Sequence, residues 1–225
     1  MVDEKPNKII LGLTGTYCAG KNHVALLLEK RGFPVLDVDK LGHRVIETEK
    51  ERIVARFGDD VLAPGGNIDR KLLGKKVFGR PGELAALEEI VHPGANRETL
   101  AWINSRREKV CVINAALLHR SSVFDFLDAV IIVEALFFVR LFRAKKRDKL
   151  PWTVLLKRFK SQAKFNAQYF TEKTDIYRVS NSGCVRIGFF SFGEASMRQK
   201  LMRQELERQK LENRIDEILS LRGIM

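Results

Sequence analysis

A three-layer α/β fold built on a parallel sheet is predicted by three features of the sequence. Apolar runs rich in β-branched residues lie at residues 9–13, 110–114 and 129–133, and such runs are typical of parallel strands covered by helices on both faces. Helix-like stretches between them supply the crossovers that parallel strands require. A glycine-bounded loop follows the first run and leads into an apolar helix. We expect a single domain over residues 1–225, because this length supports one good core.

The loop Gly15–Asn22 reads Gly-Thr-Tyr-Cys-Ala-Gly-Lys-Asn, close to the pattern GxxxxGK[ST]. Between a strand and a helix, this pattern predicts the phosphate-binding loop of the P-loop NTPase fold. Gly15 and Gly20 let the backbone turn so that its N–H groups face an anion, and the helix N-terminus adds further N–H groups. Lys21 supplies a mobile charge that reaches the β- and γ-phosphates. The alternative is a glycine-rich turn that binds nothing.

Asn22 occupies the loop position that normally carries a hydroxyl ligand for Mg²⁺. An amide oxygen is an ordinary ligand for a hard cation, but an amide cannot ionise or donate as a hydroxyl does. We therefore expect Asn22 to be a metal ligand of lower affinity.

Composition excludes several classes of protein. The chain is 45% hydrophobic and contains no apolar run long enough to span a membrane. Its N-terminus lacks the basic start and apolar stretch of a signal peptide. The three cysteines, Cys18, Cys111 and Cys184, are too scattered for a disulfide framework or a zinc site. Together these features predict a cytoplasmic protein.

A net charge of +12 favours anionic partners, and the excess is concentrated in residues 140–164, where Asp148 is the only acid. One interpretation is a solvated helical face. The other is a basic lid, residues 140–172, that closes over a polyphosphate. Nucleic-acid binding would rest on net charge alone and predicts steep salt dependence, so we do not favour it. The oligomeric state stays open.

Asp39 is a candidate catalytic base at the end of the second predicted strand, residues 34–39. Alternation places Asp37 and Asp39 on the same side of that strand, at the edge where α/β sheets bind ligands. A carboxylate beside a bound γ-phosphate can accept a proton from an attacking hydroxyl. The alternative is that Asp39 only caps the helix that begins near Lys40.

Residues 40–106 read as a helical insert, which is too long for a simple crossover and is expected to form a substrate-binding subdomain. We expect His92-Pro93-Gly94 to kink or end a helix, because proline lacks a backbone donor. Residues 194–221 form a long amphipathic helix that should pack on the core or on a partner helix. The remaining predictions are helices at 136–149 and 153–170, a strand at 177–181, and an unassigned apolar stretch at 185–192.

The chain resembles the dephospho-coenzyme A kinases, P-loop kinases of the nucleoside monophosphate kinase type, over about Ile9–Gly183. The pieces that carry the resemblance occur in the family's order. They are Leu13-Thr14-Gly15, Gly20-Lys21, Val35–Asp39, Phe57-Gly58, Gly66–Leu73, Val77-Phe78, Leu87-Glu88, His92-Pro93, Leu117-Leu118, Arg143, Arg147-Asp148, Gln162 and Asn181-Ser182-Gly183.

The resemblance implies that ATP, with Mg²⁺, phosphorylates the ribose 3′-hydroxyl of dephospho-coenzyme A in the last step of coenzyme A synthesis. It implies that Asp39 is the base or orients the hydroxyl, that Lys21 holds phosphate, and that Arg147 neutralises charge from the lid. It also places His92 in the acceptor site. The residues expected to contact the nucleotide are Gly15, Cys18, Ala19, Gly20, Lys21, Asn22, His23, Arg143 and Asn181.

Several positions depart from the family pattern. In the loop, Thr16, Cys18 and Ala19 replace Gly, Gly and Ser, and Asn22-His23 replaces two hydroxyl residues; further along, Asn114-Ala115-Ala116 replaces an Asp- or Pro-bearing turn and Arg120 replaces Glu. An active, divergent kinase is favoured because Lys21, Asp39 and Arg147 are retained. Two alternatives stay open: a nucleotide-binding homologue without turnover, and a kinase for another nucleoside or nucleotide.

Overall fold

The structure, a computed structural model, describes residues 7–161, 174–182 and 194–224. Its five strands form one parallel sheet with the order β2-β3-β1-β4-β5, which confirms the predicted α/β fold. The strands are β1 (Ile9–Gly15), β2 (Val35–Asp37), β3 (Val110–Asn114), β4 (Ala129–Glu134) and β5 (Asp175–Ser180). The central strand β1 is the one that leads into the phosphate-binding loop.

Eight helices in the described ranges accompany the sheet. They are α1 (Lys21–Lys30), α2 (Val38–Thr48), α3 (Lys50–Phe57), α4 (Arg70–Val77), α5 (Pro81–Ser105), α6 (Phe137–Asp148), α7 (Trp152–Ser161) and α8 (Glu194–Leu221), with short 3₁₀ helices at Asp59–Val61, Leu118–Arg120 and Ser122–Phe126.

Side-chain alternation along the strands builds two apolar layers, one on each face of the sheet. On β1, Leu11 and Leu13 pack with residues of α1 and α8, whereas Ile10 packs with residues of α2 and α5. Both layers are buried because helices cover both faces of the sheet, and this explains why the strands read as near-continuous apolar runs.

The insert α2–α5 has an apolar cluster of its own, which contains Ile53, Phe57 and Leu73. Residues 63–67 form a turn closed by an antiparallel bridge between Leu62 and Ile68. The insert is therefore a packed helical unit attached to the carboxyl end of β2.

Two predictions about local structure are wrong. Strand β2 ends at Asp37, whose side chain accepts a hydrogen bond from the N–H of Lys40 (3.1 Å) and caps α2. Asp39 therefore lies in the first turn of a helix, and it does not share a strand face with Asp37. The second error concerns α5, which does not end at Pro93 but continues to Ser105. Gly94 brings α5 close to α2, since a Cβ there would lie 2.7 Å from Val45 Cγ1, and packing between helices can offset the hydrogen bond that proline removes.

Helix α8 packs on the core through its second half. Leu211, Ile215, Ile218 and Leu219 are buried in the layer that contains α1. The Arg31 guanidinium donates to both oxygens of Asp216 (2.6 and 3.1 Å) and fixes the two helices together. Leu206, nearer the N-terminal end of the described side chains of α8, is 56% exposed. The side chains of Met197 and Leu201, like the predictions for residues 162–170 and 185–192, lie outside what the structure describes.

No helix within the described ranges is both long enough and apolar enough to cross a membrane.

Replacing Ile215 by Ala should lower the free energy of unfolding by about 2–5 kcal/mol, because it leaves a cavity between α8 and α1. Urea denaturation of the full chain measures this change. Leu206→Ala on the same helix is the matched control and should change stability by less than about 0.5 kcal/mol. Equal losses in the two variants would mean that α8 is not anchored through Ile215.

Candidate active site

The loop between β1 and α1 turns through two residues in the left-handed region. Cys18 has φ 59° and Gly20 has φ 98°. The N–H of Ala19 donates back to the carbonyl of Thr16 (2.9 Å), and the Gly20 carbonyl accepts from the N–H of His23 (2.9 Å). A left-handed residue beside a helix N-terminus is the geometry that gathers backbone N–H groups around an anion.

Hydrogen bonds from α6 and from the residue after β5 stabilise this conformation of the loop. The carbonyl of Ala19 accepts hydrogen bonds from Arg143 Nη1 (3.1 Å) and Asn181 Nδ2 (2.9 Å). A Cβ on Gly20 would lie 2.1 Å from Asn181 Nδ2, and one on Gly15 would lie 2.7 Å from the carbonyl of Val133. Close packing therefore favours glycine at both positions, and the left-handed backbone of Gly20 favours glycine there as well.

Lys21 and Asp39 meet at the mouth of the loop. The Lys21 Nζ lies 2.8 Å from Asp39 Oδ2, and Asp39 Oδ1 accepts from the N–H of Ala116 (3.1 Å). The Lys21 side chain is 12% exposed and that of Asp39 is 48% exposed. An ion pair open to water on one side contributes little to stability, so an incoming phosphate can displace the carboxylate from Lys21 at small cost.

Two cavities meet at Asp39. The larger, of about 740 Å³, lies over the loop. The smaller, of about 260 Å³, lies between α2 and α5 and is lined by His92 and mainly apolar side chains. Asp39 borders both. The predicted site residues that line the larger cavity are Gly15, Cys18, Gly20, Lys21, Asn22, Asp39, Arg143 and Arg147.

Three predicted residues lie elsewhere among the residues that the structure describes. Ala19 is fully buried and contributes its carbonyl. The Nδ2 of Asn181 donates to that carbonyl. His23 lies on α1 with much of its surface exposed. The buried part of the ring, and then the charges of Arg208 and Arg143, lower its pKa. His23 is therefore neutral at pH 7 and brings no charge to the loop.

Helix α6 contributes cations to the larger cavity, namely Arg143, Lys146 and Arg147. The Arg147 side chain is 60% exposed, and Asp148 accepts from its Nε (2.7 Å) and Nη2 (3.2 Å). This hydrogen bonding raises the pKa of Arg147 above its ordinary value. Arg147 therefore remains a full positive charge beside the loop.

Asn22 and Asn114 place two side-chain amides close together beside the loop. Asn22 lines the larger cavity, and its Oδ1 accepts from Asn114 Nδ2 (3.4 Å). Asn114 is 2% exposed, and its Oδ1 has no hydrogen-bond partner in the described part of the chain. Oxygen ligands of this kind fit a hard cation, but both are neutral. Asn114 was not among the predicted site residues. Its position at the end of a strand beside β1, at the edge where α/β sheets bind ligands, is the feature that could have indicated it.

Cys18 combines a left-handed backbone with a partly buried thiol. Burial raises the pKa of this thiol, although the charge of Arg147 acts in the opposite direction. The thiol packs against the small apolar cluster of α6 and α7 that contains Leu155 and Phe159. Burial therefore favours the protonated thiol over the thiolate at Cys18.

The parallel sheet and its lysine-bearing loop define a P-loop phosphotransferase. Residues 9–183 match the protein family described as Dephospho-CoA kinase. The chain belongs to the dephospho-CoA kinase family.

Individual relatives agree with this assignment. The chain is 33% identical over 186 residues to the dephospho-CoA kinase of Treponema pallidum, covering 78% of this chain and 88% of the relative. It is 35% identical over 164 residues to that of Shouchella clausii, covering 70% and 83%. Among solved structures, TT1252 from Thermus thermophilus has a TM-score of 0.67 at 27% identity, covering 90% of this chain and 98% of the other. Dephospho-CoA kinase from Campylobacter jejuni has a TM-score of 0.56 at 24% identity, covering 89% and 98%, and supports the fold.

Cys18 should react with iodoacetamide more slowly than a free cysteine at pH 7.5, because its raised pKa keeps it a thiol. Peptide mapping of the timed reaction by mass spectrometry gives the rate at this residue. Free cysteine in the same tube is the reference. Faster labelling of Cys18 than of the reference would show that the arginines dominate over burial.

Proposed function

We propose that this protein transfers the γ-phosphoryl group of ATP to the ribose 3′-hydroxyl of dephospho-coenzyme A, giving coenzyme A and ADP. The proposal rests on the family to which the chain belongs. The observation that carries it is the contact of Lys21 and Asp39, 2.8 Å apart where the two cavities meet. A phosphate held by Lys21 would lie beside Asp39, the carboxylate proposed to accept the proton of the acceptor hydroxyl.

In the proposed reaction, the loop N–H groups and Lys21 hold the β- and γ-phosphates. Arg147 and Arg143 neutralise charge on the transferring group from α6. Alignment and charge neutralisation provide most of the catalysis in phosphoryl transfer. The cationic state of Arg147 beside the loop supports this role.

The acceptor is proposed to enter through the smaller cavity, which His92 and Asp39 both line. When phosphate draws Lys21 away, the Asp39 carboxylate accepts the proton of the 3′-hydroxyl. The bond from the 3′-oxygen to the γ-phosphorus forms, the bond from that phosphorus to the bridging β-oxygen breaks, and ADP leaves. The insert α2–α5 is thus the proposed substrate-binding subdomain, and α6 and α7 are the described part of the lid.

Asn22 is the proposed protein ligand for Mg²⁺, which would neutralise negative charge on the phosphates of the nucleotide. Its neutral amide fits the ion less tightly than a site with a carboxylate, since charge count sets affinity. The proposed location is the cytoplasm, and the proposed small-molecule partners are ATP and dephospho-coenzyme A.

A second candidate function is nucleotide binding without turnover. The neutral pair Asn22 and Asn114 is the observation that favours it, because neither side chain offsets cation charge. A coupled ADP-release assay with Mg-ATP separates the candidates. Dephospho-coenzyme A should stimulate ADP release more than any nucleoside monophosphate in a panel. ATP binding without release supports the second candidate, and preference for a monophosphate would point to another acceptor.

Lys21→Ala and Asp39→Asn should each lower kcat at least about a hundredfold, a loss of about 2.7 kcal/mol in transition-state stabilisation. The ADP-release assay measures the change. Asp60→Asn, which breaks the exposed ion pair with Lys76 (2.6 Å) on the insert, is the matched control and should keep the wild-type rate. An unchanged rate in Asp39→Asn would remove the base from the proposed mechanism.

Asn22→Thr should strengthen the effect of Mg²⁺ on nucleotide binding by about fivefold, roughly 1 kcal/mol, because a hydroxyl replaces the amide at the ligand position. Calorimetric titration with ADP, with and without Mg²⁺, measures this without turnover. Asn213→Thr on the exposed face of α8 is the control. No gain in Asn22→Thr would mean that residue 22 does not face the cation.

A further inference from the structure

The side chain of Tyr17 extends from the tip of the phosphate-binding loop and packs against α6 and α7, the described part of the proposed lid. Its ring contacts the Phe159 ring edge to face, with centroids 5.4 Å apart at 75°. Together with Cys18 it packs against the buried cluster of Ala144, Leu155 and Phe159 on α6 and α7. A residue of the phosphate loop is thus part of the lid's small apolar core.

The Tyr17 hydroxyl binds a charged network on the same helices. It donates to Asp148 Oδ2 and accepts from Arg158 Nη1 (3.4 Å). Asp148 is the carboxylate that accepts from Nε and Nη2 of Arg147. Hydrogen bonds to charged groups are stronger than those between neutral groups, so the Tyr17 hydroxyl helps to fix the carboxylate that orients Arg147.

The Tyr17 ring also contacts Arg147 directly. The guanidinium carbon lies 5.1 Å from the ring centroid, within the range of a cation–π interaction. Arg147 is therefore held on one face by the ring of Tyr17 and on one edge by Asp148. Without such contacts, a long side chain that is 60% exposed would sample many rotamers.

The main chain of the loop tip is tied to the same helix. Arg140 Nε donates to the carbonyl of Tyr17 (2.9 Å), one turn before Arg143 donates to the carbonyl of Ala19 (3.1 Å). The loop tip and α6 therefore move together, and the position of Arg147 relative to the phosphates depends on them both.

We propose that Tyr17 is a positioning residue that holds Arg147 over the phosphate cavity and joins the phosphate loop to the lid. It acts through Arg147 and Asp148 and does not itself touch the reacting atoms. The inference rests on the proposed role of Arg147 in phosphoryl transfer. It assigns to Tyr17 a function that the glycines and lysine of the loop do not have.

The test is a double-mutant cycle of Tyr17→Phe and Arg147→Ala, measured as kcat and KM for ATP by ADP release with saturating dephospho-coenzyme A. Tyr17→Phe keeps the ring and removes only the hydroxyl. It should lower kcat about fivefold, while KM for ATP changes less than about twofold. In the Arg147→Ala background the same change should lower kcat less than about 1.5-fold, because the side chain that it positions is gone.

Tyr177→Phe is the matched control, since Tyr177 packs beside the core and under Arg222 (5.5 Å) away from the loop. It should keep both the wild-type kcat and the wild-type unfolding temperature. A wild-type kcat in Tyr17→Phe, or an equal loss in both backgrounds, overturns the positioning role alone. A wild-type kcat in Arg147→Ala overturns the proposed role of Arg147 and this inference together. A wild-type protein that releases no ADP overturns the proposed reaction and both roles that depend on it.

Discussion

The rest of the structure depends on the tight turn that joins β1 to α1. Cys18 and Gly20 adopt left-handed conformations there, and the carbonyl between them accepts hydrogen bonds from Arg143 and Asn181. Those two donors come from α6 and from the residue after β5, so two distant segments of the chain fix one peptide group of the loop. Because β1 lies at the centre of the sheet, this turn lies in the middle of the sheet's carboxyl edge, where α6 and β5 both reach it. The turn and the position of α6 are therefore linked by direct hydrogen bonds.

The fold also explains why the Asp39 carboxylate and the Lys21 ammonium group lie next to each other. Lys21 follows the loop at the centre of the sheet, whereas Asp39 begins the helical insert after β2. Strand β3 lies between β2 and β1, and the backbone N–H of Ala116, just beyond β3, donates to Asp39. The side chain of Asp39 thus bridges from the insert to the loop. This is the edge of an α/β sheet at which ligands bind.

The architecture could be predicted from the sequence because its signals are local and repeated. Apolar runs rich in β-branched residues predicted the strands, and the spacing of the glycines and the lysine predicted the phosphate-binding loop. Details that depend on packing could not be predicted. The continuation of α5 through Pro93 depends on the close approach of Gly94 to Val45 on another helix. The end of β2 depends on which of two aspartates caps α2, and the sequence alone favours neither. Asn114 carries no motif of its own, so its role in the site appears only when β3 is placed beside β1.

The departures from the family pattern have two different physical consequences. Cys18 is one such departure, and its side chain, like that of the neighbouring Tyr17, packs against the apolar cluster of α6 and α7. A change of this kind bears on how the loop contacts α6 and α7 and leaves the charge of the loop unchanged. Asn22 and Asn114 differ from these residues, because their neutral amides contact each other at the base of α1 and the end of β3. The positive side chains of α6 lie apart from that pair and line the larger cavity. In the proposed mechanism, charge on the transferring group is neutralised by Lys21 and Arg147, and a cation stabilises that charge only when it is held in a fixed position, which makes the orientation of Arg147 important.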